Sequence, residues 1–182
     1  MSKILEEVNH DFPFKWANLD SYRDSKSFRK EIYLVEEDNK IENLIMLFYT
    51  LFQDSKPNLI VYNKSWWDFC LDTWDINNDQ YNYEVEGKSK GTQQYLRMLH
   101  DSQLPISYSG CCSCKDWDVF LASILRCIVD HTAPYSPLIC DSENNFFFYF
   151  HYSGSIGIYY EEQNTVVEKI LFTAGKEYNL SD

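Results

Sequence analysis

Between Asn39 and Gln53 the apolar residues Ile41, Leu44, Ile45, Phe48, Leu51 and Phe52 recur every three or four positions, which predicts an amphipathic helix with one buried face. Asp54-Ser55-Lys56-Pro57 ends it, because the residue before a proline is pushed out of the helical region. Asn58-Leu59-Ile60-Val61-Tyr62 then reads as a short buried strand. Thr92 to His100 predicts a second helix with Tyr95, Leu96 and Leu99 inward, and Leu104-Pro105-Ile106-Ser107-Tyr108 suggests a further strand. A cap at Ser113 or Asp116 opens a third helix, in which Trp117, Phe120, Leu121, Ile124, Leu125 and Ile128 form a continuous stripe. Pro134 and Pro137 close it and set up a strand near Leu138-Ile139-Cys140.

Phe146 to Tyr152 and Ser155 to Tyr160 predict two strands joined across the short turn Ser153-Gly154. Phe146, Phe148 and Phe150 face one way, and Phe147, Tyr149 and His151 the other. A strand that is apolar on both faces belongs near the centre of its sheet. Thr165 and Glu168 read as a capping box for a last helix that turns Val167, Ile170, Leu171 and Ala174 inward, with Gly175 interrupting it late. Residues 1–36 hold fragments of pattern without a clean period. The stretch 65–87 is equally irregular, with a first half open to a helical reading and Tyr81, Tyr83 and Val85 alternating as a strand. This order of elements predicts a single α+β domain, mainly an antiparallel sheet with helices packed against it, and no internal repeat is visible.

With 182 residues the chain is long enough to bury roughly 70% of its unfolded surface. Its 28 acids against 16 lysines and arginines give a formal charge of −12, and that charge is unevenly placed. From Cys127 to Glu168 there is no lysine or arginine, only acids set among aromatics. The same holds from Ser65 to Gly87, where Asp68, Asp72, Asp75, Asp79, Glu84 and Glu86 stand beside Trp66, Trp67, Phe69, Trp74, Tyr81 and Tyr83. The longer window is mostly strands and helix ends, so its rings are expected in the core with its acids at the turns. The shorter window lacks such a burial pattern and is the expected functional surface.

A surface of acids and aromatic rings suits a basic protein partner: charge steers the encounter and buried rings supply affinity. The same charge argues against nucleic acid, whose recognition depends on lysine and arginine, and against anionic lipid. Met1-Ser2-Lys3-Ile4-Leu5-Glu6-Glu7 does not resemble an export signal, and the apolar run from Leu44 to Phe52 is too short to span a bilayer. A cytosolic location is therefore expected, with the six cysteines as reduced thiols and no cofactor.

Few motifs compete. Cys111-Cys112-Ser113-Cys114 is the strongest candidate for zinc, with Cys140 or His151 completing the set, but no paired C-x₂-C spacing is present and packed thiols explain the run better. A thiol nucleophile at Cys114 would need His131 or His151 as its base, a geometry that spacing cannot test. Gly87-Lys88-Ser89 lacks the upstream glycine of a phosphate loop, since Asn82 stands there. Ser153-Gly154-Ser155-Ile156-Gly157 lacks the serine-centred elbow of hydrolases.

The helix beginning Asp116-Trp117-Asp118-Val119-Phe120, the run from Phe146 to Tyr160 and the acidic capped helix at the end resemble the small cytosolic immunity proteins of bacterial toxin–immunity systems, such as those paired with contact-dependent inhibition toxins. The likeness covers roughly 105–180 and is one of style, with no motif to carry over residue by residue. It implies a protein without catalytic chemistry that binds one cognate toxin, often a basic nuclease, its carboxylates standing in for substrate phosphates. The expected contact residues are Trp67, Asp68, Asp72, Trp74, Asp75 and Asp79, together with Asp141 and Glu143. The competing expectation is a thiol-dependent or zinc-assisted enzyme centred on Cys111, Cys112 and Cys114; an adaptor for some other cellular protein is a third.

Overall fold

One face of an eight-stranded antiparallel sheet carries the helices, and the opposite face is crossed by an aromatic N-terminal strap. The computed structural model describes residues 3–21 and 24–182. In chain order the strands of the main sheet are β1 (Leu5–Glu7), β2 (Phe28–Tyr33), β3 (Leu59–Asn63), β6 (Gly110–Cys114), β7 (Leu138–Asp141), β8 (Phe146–His151), β9 (Ser155–Tyr160) and β10 (Asn179–Ser181). A separate two-stranded ribbon is formed by β4 (Trp74–Asp75) and β5 (Gln80–Tyr81). The helices are α1 (Lys40–Phe52), α2 (Lys90–Ser102), α3 (Trp117–Val129) and α4 (Thr165–Ala174). The main sheet runs β1-β6-β3-β7-β8-β9-β2-β10, so the expected α+β arrangement is the one observed.

The phenylalanine-rich strand β8 lies inside the sheet between β7 and β9, as a strand apolar on both faces should. Phe146, Phe148 and Phe150 join the core beneath the helices, where Phe52 stacks on Phe148 with ring centroids 3.8 Å apart. Phe147 faces the strap with Leu138, Cys140 and Tyr159. Phe12, Phe14 and Trp16 cover these four, and Trp16 Nε1 donates to Asn145 Oδ1 at 3.0 Å. Helix α3 packs between α1 and α2, and α4 against α1.

Several local expectations are corrected. The strand expected at Leu104–Tyr108 is a turn: Pro105 has no N–H for a ladder, and Tyr108 N donates to Pro105 O at 2.9 Å. The strand begins at Gly110 instead, where φ of 124° suits only glycine, and the cysteine run lies in that strand, with Lys115 and Asp116 leading from it into α3. Between the two possible caps of α3 it is Asp116 that accepts, from Val119 N at 3.1 Å. Helix α4 is capped by Asn164, whose Oδ1 accepts from Val167 N at 3.0 Å, which leaves Thr165 as the first helical residue and no capping box around it. The aperiodic first 36 residues contain two of the sheet's strands, β1 and β2.

Candidate partner-binding surface

The acidic stretch 65–87 is neither helix nor long strand; it is a chain of turns pinned from beneath by its own first aromatics. Trp66 Nε1 donates to Gly110 O at 3.0 Å and Trp67 Nε1 to Leu104 O at 3.2 Å, while Trp66 O accepts from Tyr95 OH at 2.7 Å. Phe69 packs on the same tyrosine. Trp67 is only 2% exposed, so it anchors the segment and offers no contact area to a partner, contrary to the expectation for it.

Two of the aspartates also face inward. Asp68 accepts from Ser65 Oγ at 2.8 Å and from Tyr83 OH at 2.5 Å. Asp72 accepts from Ser89 N at 2.9 Å and from Thr92 Oγ1 at 2.5 Å, which ties the short 3₁₀ turn Leu71–Thr73 to the N-terminus of α2. Their carboxylates hold the segment in shape. The remaining acids are placed at the surface. Asp79 is exposed, in the left-handed region at φ 53°. Asp75 is partly exposed and closes the ribbon turn by accepting from the N–H groups of Asn77 and Asn78 and from the Asn78 amide at 2.7 Å. The Asn78 amide, helped by those N–H groups and by Lys88, holds the Asp75 carboxyl below its ordinary value.

Around these acids the ribbon exposes four large apolar side chains: Leu71 at 58%, Trp74 at 42%, Ile76 at 82% and Tyr81 at 46%. Trp74 and Tyr81 lie opposite each other across the ribbon, edge to face with centroids 4.9 Å apart, and Tyr81 stacks on Tyr83 in turn. Leu71, Ile76 and Tyr81 were not among the expected contact residues. Their signal in the sequence is weak: Leu71 and Ile76 are apolar residues in an irregular acidic window, and Tyr81 stands in the short alternation with Tyr83 and Val85.

Asp141 and Glu143 do not join this surface. Asp141 is fully buried, and its carboxylate closes the β7–β8 turn by accepting from Asn144 N at 3.0 Å and Asn144 Nδ2 at 2.8 Å. Glu143 is exposed and accepts from Asn58 Nδ2 at 2.8 Å. Asp141 pairs with Leu59 at one end of β3, while the acidic window leaves from Asn63 at the other, about 13 Å away at the usual rise of a strand.

The cysteine run alternates across the sheet. Cys112 enters the core under the helices, and Cys111 turns to the strap side, near Asp11 O. Burial pushes the Cys111 thiol up to about 11 and that of Cys114 up to about 12, and raises Cys112 further still. Both histidines named as a base for a thiol lie against Tyr152, with ring centroids 4.6 Å away for His131 and 4.3 Å for His151. Among the described residues no three His, Cys, Asp or Glu side chains are grouped to hold a metal ion, and no helix is long and apolar enough to cross a membrane.

No family model, curated protein or solved structure matches this chain.

Proposed function

We propose that the protein is a binding module for another protein, that the ribbon from Leu71 to Tyr81 is its working surface, and that its partner is a cognate toxin domain with a basic face. The observation that carries this reading is the cluster of four exposed apolar side chains on a short segment fixed by buried tryptophans and by Asp68 and Asp72. An exposed tryptophan beside an aliphatic residue, ringed by charge, has the make-up of an interface centre with a polar rim. Rigidity matters as much as composition, because a surface already in its bound shape loses less entropy on association. Asp75 and Asp79 supply negative charge at the rim, which favours a cationic partner through encounter rate and orientation. The immunity role itself comes from the resemblance in 105–180 and from the acidic balance of the chain.

The test is calorimetric titration with the polypeptide encoded beside this gene, compared between the wild-type chain and the variants Trp74→Ala and Asp75→Lys/Asp79→Lys. The reading expects Trp74→Ala to weaken binding at least tenfold, and the charge reversal to weaken it most at low salt. Unchanged affinity in both variants would place the contact surface elsewhere. A neighbour that does not bind at all would remove the toxin from the proposal.

A further inference from the structure

The last strand, β10, forms one end of the main sheet, with β2 on its inner side and, among the described residues, nothing paired to its outer side. The register fixes what that edge offers. Leu34 N donates to Gly154 O at 3.0 Å, so the even-numbered residues of β2 turn their backbone groups to β9 and the odd-numbered ones to β10. Tyr33 and Glu31 are therefore the residues bonded to Asn179 and Ser181, and the N–H and C=O of Leu180 point outward. One residue of an added strand can bond both.

Where this edge begins, a groove of about 190 Å³ opens between it, α1 and the segment that follows β2. Its walls are apolar: Leu34, Val35, Met46 and Tyr178, with Val35 61% and Met46 64% exposed. Its polar side chains offer acceptors. Glu36 and Glu177 line it with carboxylates that have no partner among the described residues. Asn43 spends its amide nitrogen on Asp38 O at 2.8 Å, which leaves its Oδ1. No lysine or arginine lines the groove, and Lys176, next to Glu177, lies over the Phe172 ring instead.

We infer that this corner is a docking site for an extended, basic peptide segment of another protein, whose backbone pairs with Leu180 and whose lysine or arginine side chain enters the groove. Size, chemistry and the strand edge select that occupant. The groove is smaller than the roughly 300–1,000 Å³ of small-molecule sites and suits one long side chain. Apolar walls with unpaired carboxylates match an aliphatic stem that carries a cationic head. The edge supplies the peptide. Tyr178 lies two residues from Leu180, about 7 Å at the usual strand rise, a span that the stem of lysine or arginine covers. A second copy of this chain is the wrong occupant, because at a formal charge of −12 it brings the same unpaired acids to its own edge. The site does not rest on the toxin reading: the acidic ribbon follows β3, five strands away across the sheet.

The experiment is a ¹H–¹⁵N NMR titration of the full chain with the capped peptides Thr-Val-Lys-Val-Thr and Thr-Val-Arg-Val-Thr, with Thr-Val-Gln-Val-Thr and butylamine as comparisons. Saturable shifts confined to 33–46 and 175–182, with a dissociation constant on the order of millimolar for one basic peptide, are expected. Glu36→Gln/Glu177→Gln changes two exposed side chains and should weaken that binding at least fivefold. No saturable shift from either basic peptide overturns the proposal. So does equal binding of the glutamine peptide, or basic-peptide binding that the double variant leaves unchanged. Butylamine bound as tightly as the peptide would make this a site for a small amine, and shifts that follow protein concentration alone would give the edge to a second copy; either result overturns the peptide.

Discussion

Asp72 and Thr92 are bound side chain to side chain at 2.5 Å, with the other oxygen of Asp72 on the backbone N–H of Ser89 at 2.9 Å. An acid that composition assigns to the solvent thus extends the cap of α2, where Ser89 Oγ itself accepts from Thr92 N. Asp72→Ala removes both bonds and leaves a helix N-terminus short of an acceptor. It should cost about 1–3 kcal/mol, read as a lower urea midpoint at an unchanged slope. Asp79→Asn, which keeps a side chain tolerant of the left-handed backbone at φ 53°, should stay within about 0.5 kcal/mol.

The contact between Gly157 and Tyr149 gives a second measurement. Gly157→Ala forces the phenol ring out of its seat, because the new β-carbon would sit 2.4 Å from its Cζ. A cost of about 1–3 kcal/mol is expected. The ring can move where backbone could not, so Tyr149→Ala should recover most of that loss when the two changes are combined. A coupling near zero in the double-mutant cycle would mean that the glycine is needed for its backbone alone.

Alkaline pH should weaken the fold through several groups at once. Burial pushes the thiols of Cys111 and Cys114 from their ordinary 9.0 up to about 11 and about 12. Burial, aided by neighbouring acids, takes the phenols of Tyr49 and Tyr149 from 10.0 to about 12. Each group keeps its proton in the folded chain to a higher pH than in the unfolded one. Its contribution is therefore complete below the unfolded value and is lost as pH rises through the folded one. The urea midpoint should be flat from about pH 7 to 8 and fall between about pH 9 and 12. Cys111→Ala/Cys114→Ala should make that fall shallower.

Where a segment buries one regular face, the sequence shows it. The stripe from Trp117 to Ile128, the hairpin from Phe146 to Tyr160 and the helix after Asn39 have the periods that their packing demands. The misses share a cause, which is contact supplied from far along the chain. β1 is three residues long and is held by Cys112–Cys114, more than a hundred positions away, so no local period marks it. Trp66 and Trp67 sit beside acids and yet lie in the interior, because their indole N–H groups find the carbonyls of Gly110 and Leu104. Of the expected contact residues, Trp74, Asp75 and Asp79 share the exposed ribbon, Asp68 and Asp72 brace it from within, Trp67 anchors it, and Asp141 and Glu143 belong to a turn at the other end of β3. Composition could locate the segment. It could not separate the residues that face solvent from those that hold the segment still.

The strap offers a prediction of a different kind, since it covers apolar sheet that no helix reaches. Phe14 is buried, with its ring 5.1 Å from Trp16 and 6.0 Å from Phe147. Phe14→Ala should cost about 3–4 kcal/mol, as core phenylalanine truncations do. Its more telling effect is local. Cys140 lies under the strap, while Cys127 lies in the helix-side core, and both are fully buried. Loosening the strap should open Cys140 to a thiol reagent such as dithionitrobenzoate well before Cys127, at denaturant concentrations that leave the fold intact. If the variant instead releases both thiols together, the strap and the helices unfold as one unit, and the second apolar cluster has no stability of its own to lose.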